Sequence, residues 1–535
     1  MAAVALQASD GSGFIGMIFA NLFIAIIVLA TLGLVCFHRP VEQQLPAPAP
    51  LLAQQHSDPP PAGARPPRAV YLDNLKVLLT AIVVNHHSMI ALGAPGGWFC
   101  SIAQYRSSFG LVAMSINEVS QSYFMCLFFF ISGLFTPGSY DKAIAKGLGR
   151  RGFLRDKFLR LGVPFLFFLF GFGPLLDIFT PAVITGSQDW LQYQADPGPP
   201  WFLSWLLLFN ICYAVAGPTS SPVARPSLPA MVLCCVLLGL IQAVMPLLGV
   251  SSFALMPVSV LGNLPFDVVF FSAGCCASAK RSNWLEAEWL NKIEGVAFAG
   301  AAVSSVALIA VLTPGMLYFE VCCAEAVPPP PAANTSNSLD DALALGGGGG
   351  GGGGSRRQLT DTNSTHITAW LLVSGVIGGC CTILVSVWLM ASFHKRFNKQ
   401  PPRLTLMANA AFAVYLIHPW VIVPLTGIYI AFLRHVAGVD VQFDGAICDT
   451  TATQAACEAH AGEGYNGATC VWGWNNNTQG PCHVADMSKR FSSSTDLGSD
   501  GYVWLGWIFV GGGAQLLVWP VAHLFRQLPF VRQVL

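Results

Sequence analysis

Charge is what this chain has least of. Asp, Glu, Lys and Arg make up 10% of its 535 residues, against about 25% in an average soluble domain, which excludes an ordinary water-soluble protein. The 27 basic residues equal the 27 acidic ones. A nucleic-acid surface needs a basic surplus, so no nucleic-acid partner is expected. No Lys or Arg precedes the first apolar run, residues 14–37, and that run is longer than the core of a secretory leader; it is read as an additional span. The 16 cysteines nowhere show zinc-ligand spacing, and no metal is expected. Nine consecutive glycines, Gly346–Gly354, are not followed by the Gly-Lys-Ser/Thr of a phosphate-binding loop. No internal repeat is visible, which counts against an inverted-repeat transporter.

Apolar residues fill the space that the charges leave, at 54%. Runs of about 18 or more such residues mark membrane helices. Beyond the first, ten are found, at roughly 75–93, 119–137, 159–180, 202–218, 229–249, 257–279, 295–313, 367–391, 407–433 and 502–525. The expected fold is all-α, a polytopic transmembrane helical bundle of ten core spans with an extra N-terminal span in residues 1–38. Residues 39–69 read as a Pro/Ala-rich cytoplasmic linker. Spans 1–7 occupy 70–313, followed by a Gly-rich outer loop (314–366) with too few apolar residues to fold. Spans 8 and 9 (367–433), a Cys-rich outer loop (434–501), and span 10 with a cytoplasmic tail (502–535) complete the chain.

Lys and Arg accumulate on the cytoplasmic side of membrane proteins. With the linker inside and the loops alternating, 20 of the 27 basic residues fall on the inner side and 6 on the outer, Lys76 standing at a helix start. The N-x-S/T sequons at Asn334, Asn363 and Asn476 all fall in outer segments, where glycosylation occurs. So do Cys448, Cys457, Cys470 and Cys482, which in an oxidising compartment suggest two disulfides with three possible pairings. These features point to a secretory-pathway or plasma membrane.

Ionisable groups deep in a bilayer are costly and face polar surroundings. Asn85, His86 and His87 lie past the middle of the first core span, within Tyr71–Gly93. Lys76 and His87 are eleven residues apart, three helical turns and about 20°, so they share a face with a rise of roughly 16 Å between them. That rise matches the reach of an extended pantetheine arm. The plainer account of the His pair is a structural hydrogen bond between helices, and of Lys76 an interfacial anchor. A basic inner loop, with Arg155, Lys157 and Arg160 within a turn and a half, suits a polyanionic phosphate ligand, although positive-inside bias alone accounts for basic loops. His418 stands mid-span in AVYLIHP (Ala413–Pro419), where Pro419 loosens the helix. Asp267 lies at mid-depth in a third span. Ser132 and Gly133 allow close helix approach. His435–Asp440 forms an HxxxxD pattern, but at the outer end of a helix, and short patterns of this kind arise by chance.

At these residues the sequence resembles the acyltransferase-3 family of integral membrane acyltransferases, nearest to its glucan biosynthesis protein C branch. The resemblance covers Val70–Phe525 apart from the Gly-rich and Cys-rich loops. It rests on YLDNLKVLLTAIVVNHH, FFFISGL, FLRDKFLRLGVP, PPWFLSWLLLFN and AVYLIHP in that order. It implies transfer of an acyl group, such as acetyl or succinyl, from cytoplasmic acyl-CoA to a hydroxyl of an extracytoplasmic acceptor, a carbohydrate or a lipid-linked group. The family's basic–ten residues–His motif falls on Lys76 and His87, and its basic–x–x–Arg motif on Lys157 and Arg160; the family usually has Arg where this chain has Lys76 and Lys157. The expected roles are His87 as general base, His86 or His418 orienting it or polarising the carbonyl, and Lys76, Arg155, Lys157 and Arg160 holding the CoA phosphates. A proton-coupled small-molecule or lipid transporter and a catalytically inactive receptor-like relative are the competing readings.

An epitope inserted between Gly147 and Leu148 should be reached by antibody only after the membrane is permeabilised. Staining of intact cells would invert the orientation.

Overall fold

The computed structural model describes residues 69–94, 98–102, 108–184, 198–217, 222–247, 264–278, 281–324, 353–399, 401–439, 441, 470–472, 482–484 and 500–534. The N-terminal span, nearly all of the linker, Asn334, Asn476, Cys448 and Cys457 lie outside them. In chain order the helices are α1 (Val70–Ala91), α2 (Ser108–Ala145), α3 (Gly149–Ile184), α4 (Trp201–Ala216), α5 (Leu228–Leu247), α6 (Leu264–Ala277), α7 (Ala287–Ala324), α8 (Gly353–Arg396), α9 (Pro402–Ile417) and α10 (Pro419–His435). They are followed by α11 (Gly501–Phe525) and the short α12 (Pro529–Val534). Two wide turns, Phe158–Gly162 and Phe168–Phe172, interrupt α3, and a third, Ile508–Gly512, interrupts α11.

Each of the ten expected segments falls on a helix, but six of these helices are long and apolar enough to cross a membrane, or seven if α9 and α10 count as one span bent by 65°. Three of the ten, α1, α4 and α6, do not meet that length and composition over their described residues. Helix α4, with 16 residues, reaches about 24 Å, less than a hydrocarbon core of about 30 Å, and α6 is described over the 14 residues Leu264–Ala277. Helix α1 has the length but carries Asp73, Lys76, Asn85, His86 and His87. Helices α1 and α6 lie inside the bundle. No large apolar side chain of α1 or α6 is exposed, whereas α3, α5, α7 and α11 expose Phe170, Leu233, Val303 and Leu516 among others. Helix α1 touches α2, α8, α9, α10 and α11, and its Leu75, Leu79, Val83 and Val84 are at most 1% exposed.

Close backbone crossings hold these layers. A methyl group placed on Gly133 of α2 would strike the Phe271 carbonyl oxygen of α6, and one on Gly274 would strike that of Phe130. Gly239 of α5 and Gly375 of α8 face each other in the same way. Between membrane helices small residues replace the hydrophobic effect as the means of tight association, and Gly133 serves in that capacity.

Contacts near the helix ends join segments that alternation assigns to one side. On the inner side Asn74 donates to the carbonyls of Phe397 and Lys399, Arg281 pairs with Asp141 at 3.4 Å, and Arg225 bonds to the Trp284 carbonyl at 3.2 Å. Glu294 of α7, with its side chain 7% exposed, receives both Lys395 and Arg396 of α8 at 2.6 Å. On the outer side Arg434 donates to the carbonyls of Ile184 and Val441, and Trp504 donates to Ser108.

The Gly-rich segment departs from expectation at both edges: α7 continues to Ala324 and α8 begins at Gly353, so Asn363 is helical. In the Cys-rich segment Cys470–Trp472 and Cys482–Val484 pair as an antiparallel ribbon, with Cys470 opposite Val484 and Cys482 opposite Trp472. Among the described side chains, Cys126, Cys235 and the Cys275–Cys276 and Cys380–Cys381 pairs form no disulfide.

Replacing Gly239 by Ile should cost at least about 1–3 kcal/mol, the range for overpacking a close contact. It should lower the thermal midpoint of the detergent-solubilised protein. Gly171→Ala, where nothing lies within 4 Å, should leave that midpoint unchanged.

Candidate active site

The site begins with a missing donor. In a continuous helix the amide of residue 419 would bond to the carbonyl of residue 415, but proline has no N–H. The helix breaks at His418, between α9 and α10, and the freed Tyr415 carbonyl takes the ring of His418 instead, at 2.9 Å from Nδ1. A carbonyl oxygen only accepts, so His418 Nδ1 carries hydrogen. The side chain is 0% exposed, and an unpaired buried cation is costly; the ring is therefore neutral, with Nε2 an acceptor.

His87 of α1 meets that acceptor. Its Nδ1 lies 2.8 Å from His418 Nε2, so His87 Nδ1 is the donor. His87 Nε2 is left with its lone pair and with no partner among the described residues. Fixing one ring nitrogen of a histidine decides what the other can do. Trp98 stacks on His87, with ring centroids 4.2 Å apart and planes 13° apart, and lies beside His418 at 5.7 Å. The Tyr415 hydroxyl donates to the Pro199 carbonyl and pins the end of α9 against the start of α4.

His86 completes the cluster, 5.3 Å from His87 and 5.6 Å from Phe124 between ring centroids. Its Nδ1 is buried without a partner among the described residues, and Asn117 of α2 donates to its backbone carbonyl at 3.3 Å. Asn85 accepts from Trp507 Nε1 at 3.1 Å. The arrangement thus offers one imidazole nitrogen fixed as a proton acceptor, a second imidazole held behind it, and an aromatic wall.

The three histidines expected at the site come together; the four basic residues do not join them. Lys76 is 34% exposed, ion-paired with Asp73 at 2.7 Å and placed 5.3 Å over the Phe135 ring. Lys157 stands 5.3 Å over Phe153, while Arg155 and Arg160 are exposed. On the face shared by Lys76 and His87, the intervening Thr80, Val83 and Val84 are at most 2% exposed, so no water-filled path runs along that face. Asp267 bonds to the Cys126 thiol, with Sγ 3.7 Å from Oδ1, and its other oxygen has no partner; no contact links it to the histidines among the described residues. Trp205 and Asn210 are buried on α4, where Asn210 accepts from Thr136 at 3.3 Å. Trp98 was not visible as a site residue in the sequence. It follows Gly-Ala-Pro-Gly-Gly in an outer turn, where a Trp reads as an interfacial anchor.

Residues 69–443, more than half of the chain, match the sequence profile of the acyltransferase-3 family, described as an acyltransferase domain. The chain belongs to this family. It is an integral membrane acyltransferase. The match takes in the whole histidine cluster, from α1 through His418, and ends short of α11. No curated protein and no solved structure matches the chain.

Pro419→Ala would restore the amide that competes with His418 for the Tyr415 carbonyl. The acyl-transfer rate should fall at least about tenfold, as loss of a positioning contact does, without a drop in thermal midpoint. An unchanged rate would mean that His418 only packs.

Proposed function

We propose that this acyltransferase moves an acyl group, acetyl, succinyl or similar, from cytoplasmic acyl-CoA to a hydroxyl of an extracytoplasmic acceptor, a carbohydrate or a lipid-linked group, with His87 as general base. Within the family we read it as nearest to the glucan biosynthesis protein C branch, on the motifs shared by α1, α3 and α9, and as residing in a secretory-pathway or plasma membrane. We expect its outer loops to be glycosylated and its outer cysteines disulfide-bonded.

The observation that carries this reading is the chain of bonds from the Tyr415 carbonyl through His418 to His87, which leaves His87 Nε2 as acceptor. The acceptor hydroxyl gives its proton to Nε2 while its oxygen bonds to the thioester carbonyl carbon. The carbon–sulfur bond then breaks, and the CoA sulfur takes the proton back from the imidazolium. His418 orients the base throughout, and His86 is assigned to polarise the carbonyl. Lys76, Arg155, Lys157 and Arg160 are assigned the CoA phosphates at the inner rim. Asp73, now paired with Lys76, exchanges that cation with the ligand. With Thr80, Val83 and Val84 closed together, the pantetheine arm enters only after α1 separates from the helices packed on that face. A proton relay through Asp267 gains no support from its contacts, which are with Cys126.

General-base catalysis contributes typically about 10²–10⁴-fold. His87→Ala should lower transfer from radiolabelled acyl-CoA by that factor while the protein still inserts, and an acyl mass difference on surface glycans or lipids should vanish with it. Retained transfer would discard the assignment, and substrate uptake into vesicles without CoA would replace it with transport.

A further inference from the structure

A cavity of about 460 Å³ opens between α1, α2 and α7, on a different face of α1 from His87. Its size lies within the range of small-molecule sites, about 300–1,000 Å³. The walls are apolar, with Ile82, Ile116, Val119 and Ile309 prominent among them, while Asn85 and Tyr123 supply polar groups.

Its mouth faces lipid. Ile116 is 44% exposed, and Val306, on the turn beside Ile309, is 67% exposed. In a bundle that crosses the bilayer, such apolar surface is in contact with hydrocarbon. Two donors inside the cavity have no oxygen acceptor among the described residues. Tyr123 is 9% exposed, and its hydroxyl has no hydrogen-bond partner among the described residues. Among the described residues the Asn85 amide donates only to the thioether of Met89, at 3.6 Å, a weak acceptor. The bond from Asn117 to the His86 carbonyl sets the level of the antiparallel pair α1 and α2. Helical side chains lean toward their own N-terminus, so Asn85 leans inward and Tyr123 outward, and the two converge.

We propose that this cavity is a lateral binding site for the acyl chain of a membrane ester lipid. The chain lies against the isoleucines and Val119, and its ester carbonyl accepts from the Tyr123 hydroxyl and the Asn85 amide. A carbonyl is the acceptor that such a pair lacks, and the bilayer at the mouth supplies it. The site is separate from the proton chemistry of His87 and does not depend on it.

The test uses the full chain in nanodiscs containing a phosphatidylcholine with a diazirine in its acyl chain. After irradiation, label should concentrate on residues 81–85, 115–123 and 305–309. Val119→Trp and Ile309→Trp, which fill the space, should each reduce that label at least fivefold, and Tyr123→Phe should reduce it severalfold without lowering the thermal midpoint. Leu516→Trp on the exposed face of α11 should leave it unchanged. Label spread evenly over the exposed apolar helices, or unchanged label in Tyr123→Phe and in the filled variants, would overturn the proposal.

Discussion

A proline that cannot donate sets the chemistry of this molecule. Pro419 leaves the Tyr415 carbonyl without its helical partner, and the ring of His418 supplies the missing hydrogen at 2.9 Å. The one bond does three things: it stabilises the break between α9 and α10, holds His418 at 0% exposure, and fixes which ring nitrogen carries the proton. His87, 2.8 Å away on α1, inherits its own tautomer from that choice. Had residue 419 carried an amide hydrogen, the helix would have satisfied itself and His418 would have been free to turn.

This arrangement survives in a bilayer because of how the helices are layered. Helix α4 is short and α1 is polar, and α1 and α6 expose no large apolar side chain. Irregular backbone and polar side chains are tolerated at membrane depth only where protein or a cavity covers them. The outer helices α3, α5, α7 and α11 provide the cover and expose their own leucines, valines and phenylalanines. Glycine crossings bring the layers together: Gly133 and Gly274 between α2 and α6, Gly239 and Gly375 between α5 and α8. Packing this tight also closes the face between Lys76 and His87, so the resting conformation separates the basic rim from the imidazoles.

Much of the layout was legible because it follows from local rules. Hydrophobic runs located α1 to α11, and the end contacts, such as Asn74 with Phe397 and Arg434 with Ile184, join segments that the basic residues assign to one side. The His pair and the HP dipeptide drew attention because histidine deep in an apolar run is expensive. A window of apolar residues does not reveal where a helix stops, as the 16 residues of α4 show. Low apolar content also failed to forecast that α8 begins at Gly353, within the glycine run.

The sequence by itself determined the order of the helices and the residue types available for catalysis, because these depend on transfer of side chains between water and hydrocarbon. Only the tertiary structure decided that His87 meets His418 across 331 residues of chain, that Trp98 covers the pair, and that Asp267 and the basic rim stand apart from it. Those outcomes depend on which helix faces pack together. Packing is settled by contacts between distant segments, and no local pattern in either segment encodes it.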